Sequence, residues 1–169
     1  MRLQRQQLPQ LARKIVKELV ARGDIEVINQ FEVERDVESV LGTYLTQVDH
    51  VSQRARELAQ ERGLAQGEFG RIKRLAAEQA GIGVGEDALD YVLAQVIEML
   101  MQSANVAEVF ADDPQLRRRI REFIREDEVA EDKVDAEVRS QLKHVQEGSR
   151  VWEIEYERMK AEIKRRRGM

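Results

Sequence analysis

Apolar residues recur at helical spacing along nearly the whole chain. Leu8, Leu11, Ala12, Ile15, Val16, Leu19 and Val20 form one stripe, while Arg13, Lys14, Lys17, Glu18 and Arg22 fall on the other side. Pro9 sits in the first turn, where its missing N–H costs nothing, and Gly23 supplies a left-handed residue to end the helix. A short extended piece follows over 25–28. Val33, Val37, Val40, Leu41 and Tyr44 predict a second helix, and 48–62 a third that stops at Gly63. A fourth starts near Glu68, carries Phe69, Ile72, Leu75 and Ala76, and ends at Gly81.

Residues 81–87 (GIGVGED) have the most flexible composition in the chain and read as a joint. Beyond it the pattern restarts. Leu89, Val92, Leu93, Val96, Ile97 and Leu100 predict a fifth helix, and Val106 and Val109 a second extended piece. Asp113 reads as an N-cap with Pro114 at the first helical position, leading into Leu116, Ile120, Phe123 and Ile124. Val134, Val138 and Leu142 mark a seventh helix, and an eighth starts after Ser149.

The halves align. Leu8, Leu11, Ile15, Val16, Leu19, Ile25 and Ile28 fall on Leu89, Val92, Val96, Ile97, Leu100, Val106 and Val109. After a two-residue insertion, Val33, Val37, Val40, Leu41, Val51 and Ala55 fall on Leu116, Ile120, Phe123, Ile124, Val134 and Val138. The expectation is an all-α chain of two similar helical subdomains of about four helices each, over 1–82 and 83–169, related by internal duplication. One asymmetry stands out: the fifth helix adds Tyr91, Met99 and Met101 outside its stripe. A helix apolar nearly all round must be covered on most sides, so these residues are candidates for contact between the halves or with a second chain.

Composition narrows the chemistry. Charged residues make up 36% of the chain and aromatics 5%, which suits helices with wet outer faces. The net charge of −4 does not suit bulk nucleic-acid binding, although a local basic patch can still operate. The absence of cysteine removes disulfides, thiolate metal sites and cysteine nucleophiles, and fits a reducing, cytoplasmic compartment. The N-terminal segment has no apolar signal-peptide core, and no stretch approaches the roughly 18 apolar residues of a membrane span.

The usual catalytic and metal patterns do not occur. His50 and His144 have no glutamate three residues earlier and no HExxH around them, so each is expected to face solvent. Gly81, Gly83 and Gly85 miss the phosphate-loop spacing, with no preceding strand and no following Gly-Lys-Ser/Thr. The acidic run 126–137 lacks the turn glycine of a calcium loop, and Val129, Val134 and Val138 mark it as a solvated helix face. There is no G-x-S-x-G elbow. No catalytic residue, metal, cofactor or small-molecule substrate is expected, and the chain does not read as an enzyme.

Two surfaces remain. After the Ser149 N-cap, Trp152, Tyr156, Met159 and Ile163 repeat at i, i+4, i+7 and i+11. The stripe is either the core face of a docked terminal helix or, with Arg150, an aromatic-anchored partner site. Lys164, Arg165, Arg166 and Arg167 close the chain as a cationic helix end. Arg117, Arg118, Arg119, Arg121 and Arg125 form a second basic stretch, and convergence of the two would grip phosphates of RNA or DNA.

Glu147, Gly148, Ser149, Trp152, Glu153, Ile154, Glu155, Tyr156 and Arg158, with the basic end, resemble the closing signature of a bacterial family of unknown function, DUF family 507. The opening Met1-Arg2-Leu3 and the later Ile15-Val16, the stretch GEFGRIKRLAAEQAGIG and the stretch DYVLAQVIEML are also similar to it. The chain resembles a long, internally duplicated form. The resemblance implies a small cytoplasmic helical protein and brings no substrate, cofactor or site residue. The leading expectation is a noncatalytic interaction or adaptor protein with a protein partner or self-association. The alternative is an accessory factor on a nucleoprotein machine, a ribosome or transcription complex, held through the arginine-rich helices.

Overall fold

The expected helices form, but fewer and longer than the spacing predicts. A computed structural model describes the backbone of residues 1–169 and every side chain except that of Gln66. Among the described residues there are six α-helices: α1 (Leu8–Ala21), α2 (Gln30–Glu61), α3 (Phe69–Ala80), α4 (Ala88–Gln102), α5 (Asp113–Gln141) and α6 (Arg150–Arg167). Two short strands, β1 (Ile25–Val27) and β2 (Val106–Val109), pair antiparallel. The second and third expected helices are one helix, α2, and the sixth and seventh are α5. Residues 45–47 and 125–133 contain no glycine or proline, so nothing breaks the backbone where the apolar stripe pauses. Each half therefore has three helices rather than four.

The start of α5 is shifted by one residue from the expected cap. Asp112 Oδ1 accepts from the Gln115 N–H (2.8 Å), and Gln115 Oε1 accepts from the Asp112 N–H (3.0 Å). This reciprocal capping box makes Asp112 the cap, with Pro114 tolerated in the first turn.

Residues 1–124 pack as one unit and 125–169 as another. The packing boundary thus differs from the 82/83 boundary of the aligned halves. Leu11, Ile15, Val16 and Leu19 of α1 share one apolar cluster with Val33, Val37 and Leu41 of α2. Val92, Leu93, Val96 and Leu100 of α4 and Leu116, Ile120, Phe123 and Ile124 of α5 complete it. Each half contributes two helix faces to this core.

Asp24 joins the halves at the ribbon. Its carbonyl accepts from the N–H groups of Phe110 (2.8 Å) and Ala111 (3.1 Å), and its buried carboxylate forms an ion pair with Arg119. At the ribbon's other end the Ile28 N–H donates to the Asn105 carbonyl (2.8 Å), and Ser103 Oγ donates to Asp36 (3.1 Å).

The C-terminal half of α2 and α3 form a helical hairpin around Val51, Ala55, Leu58, Ile72 and Ala76. The segment 81–87 is not the loose joint its composition suggests. Ile82 is buried in the hairpin cluster, and the Gly83 carbonyl accepts from Tyr44 Oη at 3.0 Å. A Cβ on Gly83 would lie 2.6 Å from the Asp87 carbonyl oxygen and 2.7 Å from Tyr91 Cβ, so only glycine fits. Residues 125–169 form a second hairpin, with Val134, Val138 and Leu142 of α5 packed on Ile163 of α6. Among the described residues no helix is long and apolar enough to cross a membrane.

Two substitutions test this packing. Gly83→Ala should destabilise the protein by about 1–3 kcal/mol in denaturant unfolding, the usual cost of overpacking. Asp24→Ala should cost about 2–3 kcal/mol. That is less than the ~3–5 kcal/mol of a fully buried pair, because Arg119 keeps 24% of its side chain exposed.

Candidate interaction surfaces

The Trp152 stripe turns inward. Ile163 is fully buried, and Trp152, Tyr156 and Met159 are half-buried against the α5 cluster. Trp152 and Tyr156 stack with centroids 5.0 Å apart, and the Arg139 guanidinium lies 5.3 Å from the indole centroid. Tyr156 Oη donates to Asp135 Oδ1 (2.6 Å), and Arg139 binds both Asp135 and Glu147. Burial first, then the bond to Asp135, pushes the Tyr156 hydroxyl far above its ordinary range. Burial also pushes Asp135 upward, but hydrogen bonds from Tyr156 and Arg139 outweigh it and leave the carboxyl lowered. Arg150 stays exposed at the start of α6.

Arg117, Arg118, Arg119 and Arg121 belong to residues 1–124, Arg125 and the basic tail to 125–169, and most of these cations are engaged. Arg117 pairs with Asp113 (2.6 Å) and Arg121 with Asp90 (2.5 Å), while Arg118 is exposed. In the second hairpin Lys164 pairs with Glu131, and Arg166 and Arg167 pair with Glu137, leaving Arg165 exposed. The acidic run 126–137 is thus more than a solvated face: Glu131 and Glu137 are counter-charges of α6, and Asp135 holds Arg139 of α5 and the Tyr156 hydroxyl. His50 and His144 are both exposed. Among the described residues no group of three or more histidine, aspartate or glutamate side chains is placed to hold a metal ion.

On α4 the three surplus residues separate. Tyr91 is half-buried with its ring 5.8 Å from that of Tyr44, and Met99 packs against the core. Met101 is 65% exposed at the helix end.

Other exposed apolar side chains, at the β1–β2 ribbon and the start of α2, were missed by sequence reasoning. The alternation of β1 buries Ile25 and turns Glu26 and Ile28 outward, and on β2 Glu108 and the following Phe110 are likewise exposed. Glu26 and Glu108 are directly opposed across the ribbon, with Ile28 (72% exposed) beyond one end and Phe110 (63%) beyond the other. Phe31, 60% exposed, lies in the first turn of α2, with the Arg35 guanidinium 6.0 Å from its ring centroid. The signal was present: Ile28 is an odd number of residues from buried Ile25, and Phe31 is only two residues from Val33. Both spacings turn the side chain away from the core.

Residues 1–169, the whole chain, match the family model described as protein of unknown function (DUF507). No curated protein matches the chain.

The Asp135–Tyr156 bond has a testable pH signature. Asp135 has a lowered pKa in the folded state, so its stabilisation is complete above the unfolded carboxylate value of about 4. It is lost as pH falls through the lowered folded value. Trp152, the chain's one tryptophan, should report this as a fluorescence change confined to acid below about pH 4. Tyr156→Phe should move the change to higher pH. An unmoved transition would show that the bond is not formed in solution.

Proposed function

Taking as premise that the chain belongs to the DUF507 family, we propose that it is a noncatalytic interaction protein of the bacterial cytoplasm. It acts as an adaptor that docks a partner protein on the solvent face of the β1–β2 ribbon. One observation carries this reading: exposed Ile28 and Phe110 bracket the opposed Glu26–Glu108 pair. Like charges placed directly opposite weaken a ribbon, and large exposed apolar side chains lower solubility. A partner presenting a lysine or arginine between two apolar groups would relieve both. A second copy docked through the same face would bring four glutamates together, which favours a different protein as partner.

The same reading takes the halves as copies of one unit. In each, a short 3₁₀ turn, a helix, a strand, a long helix and a shorter helix follow in order. Ile25 pairs with Val109, the residue aligned with Ile28, as a local two-fold would pair them, but a register shift then puts Val27 rather than Ile28 opposite Val106. The nucleoprotein alternative has less support, since Arg117, Arg121, Lys164, Arg166 and Arg167 are already engaged with carboxylates.

Affinity capture with the tagged full-length protein at ~0.5 M salt tests the proposal, because apolar docking survives charge screening. The wild type should retain a partner that the Ile28→Ser/Phe110→Ser variant loses. Identical recoveries from both proteins would exclude the ribbon as the docking face.

A further inference from the structure

A second surface carries the opposite charge. The hairpin of residues 51–82 holds six arginines and lysines against four glutamates, in a chain whose net charge is −4. Its corner, where α2 gives way to α3, contains a cleft of about 460 Å³ lined by Arg62, Arg71 and Arg74 together with Leu64 and Leu75. All three arginines are exposed and make no ion pair or hydrogen bond among the described residues. Glu68 and Glu78 also line the cleft, one before the first residue of α3 and the other in its last turn. Neither pairs with an arginine among the described residues. Arg74 precedes Glu78 by four residues, the less favourable order for a helical pair. Leu64 and Leu75, 37% and 39% exposed, add apolar surface. On the other side of Leu64 a cleft of about 660 Å³ adds Phe69 and Arg56.

The other hairpin shows what a closed corner looks like. Its cleft of about 520 Å³ is lined by Arg139, Lys143 and Trp152. There Arg139 is held by Asp135 and Glu147 and stacks on the indole. Arg139 is thus paired and stacked, whereas Arg62, Arg71 and Arg74 form no pair with Glu68, Glu78 or any other of the described residues.

We infer that the α2–α3 corner is a docking site for an acidic amphipathic segment of a partner protein, separate from the ribbon face. The unpaired guanidinium groups select carboxylates, which they can bind in bidentate fashion. Leu64 and Leu75 select apolar anchors set between those carboxylates, the pattern of a helix lying in a groove. Nucleic acid fits less well. Its backbone offers nothing to cover the leucines, and the aromatic ring at the corner, Phe69, is half-buried rather than open to a base.

The test uses the full-length chain and fluorescence anisotropy. The probe is a labelled peptide of about 16 residues with leucines at i, i+4 and i+7 and glutamate elsewhere. Polyglutamate and a single-stranded RNA of matched length are measured in parallel. The peptide should bind more tightly than either competitor. Arg71→Glu/Arg74→Glu should weaken it about a hundredfold or more, and Leu75→Ser about tenfold. The ribbon variant Ile28→Ser should bind as the wild type does, which separates this site from the ribbon proposal. All these positions are exposed, and circular dichroism checks that each variant folds. Failure of the wild type to bind, or variants that bind unchanged, would overturn the inference. RNA or polyglutamate binding as tightly, with Leu75→Ser silent, would overturn it in favour of a general anion grip.

Discussion

A single apolar cluster is shared by α1, α2, α4 and the first part of α5, and the organisation of residues 1–124 follows from it. Leu11, Ile15, Val16 and Leu19 are fully buried. Burying four such side chains contributes roughly 6–12 kcal/mol, comparable to the whole stability of an ordinary domain. They share their cluster with α2, α4 and the first part of α5. The ribbon fixes the register of that assembly, and Asp24 fixes the ribbon. Its backbone carbonyl accepts two N–H groups from the far end of β2, while its carboxylate meets Arg119 on α5. The ion pair is weak evidence for stability in itself, since desolvation offsets much of the attraction. The backbone bonds of Asp24 to Phe110 and Ala111 are what tie the start of β1 to the end of β2.

That arrangement decides which surfaces are free. A two-stranded ribbon with one face on the core must present its other face to solvent, and here that face carries two opposed glutamates between Ile28 and Phe110. The two helical hairpins differ in how their charge is settled. Residues 125–169 use Glu131, Asp135 and Glu137 to hold Lys164, Arg139, Arg166 and Arg167. The α2–α3 hairpin leaves Arg62, Arg71 and Arg74 without partners among the described residues. Two exposed surfaces of opposite charge, each with apolar side chains, suit a protein that joins others.

Much of the fold was legible in sequence because helical periodicity is strong where a stripe faces a core. The stripes from Leu8 to Leu19 and from Val92 to Leu100 are buried as their spacing requires. Ser149 caps α6 through a bond from the Trp152 N–H, and the membership in DUF507 stands. The continuity of α2 and α5 was not legible, because a pause in an apolar stripe resembles a break when the helix passes from one cluster to another. The fit of Gly83 was hidden for a similar reason: composition reads three glycines as slack, whereas the steric demand comes from the Asp87 carbonyl and Tyr91, four and eight residues away. The charge pairing of α5 with α6 was also out of reach. The acidic and basic runs were each visible, but their neutralisation depends on helices folding back on one another. By contrast, the outward face of the ribbon was missed although the odd spacing of Ile25 and Ile28 carries it.

Native-state hydrogen exchange on the full-length protein tests the shared core most directly. If residues 1–124 are one cooperative structure, the most protected amides of α1, α4, β1 and β2, among them Ile15, Val27, Val96 and Val106, should open with one common free energy. Opening of α4 and β2 at a distinctly lower free energy than α1 and β1 would contradict it. The halves would then be independent bodies, and the ribbon an incidental contact between them.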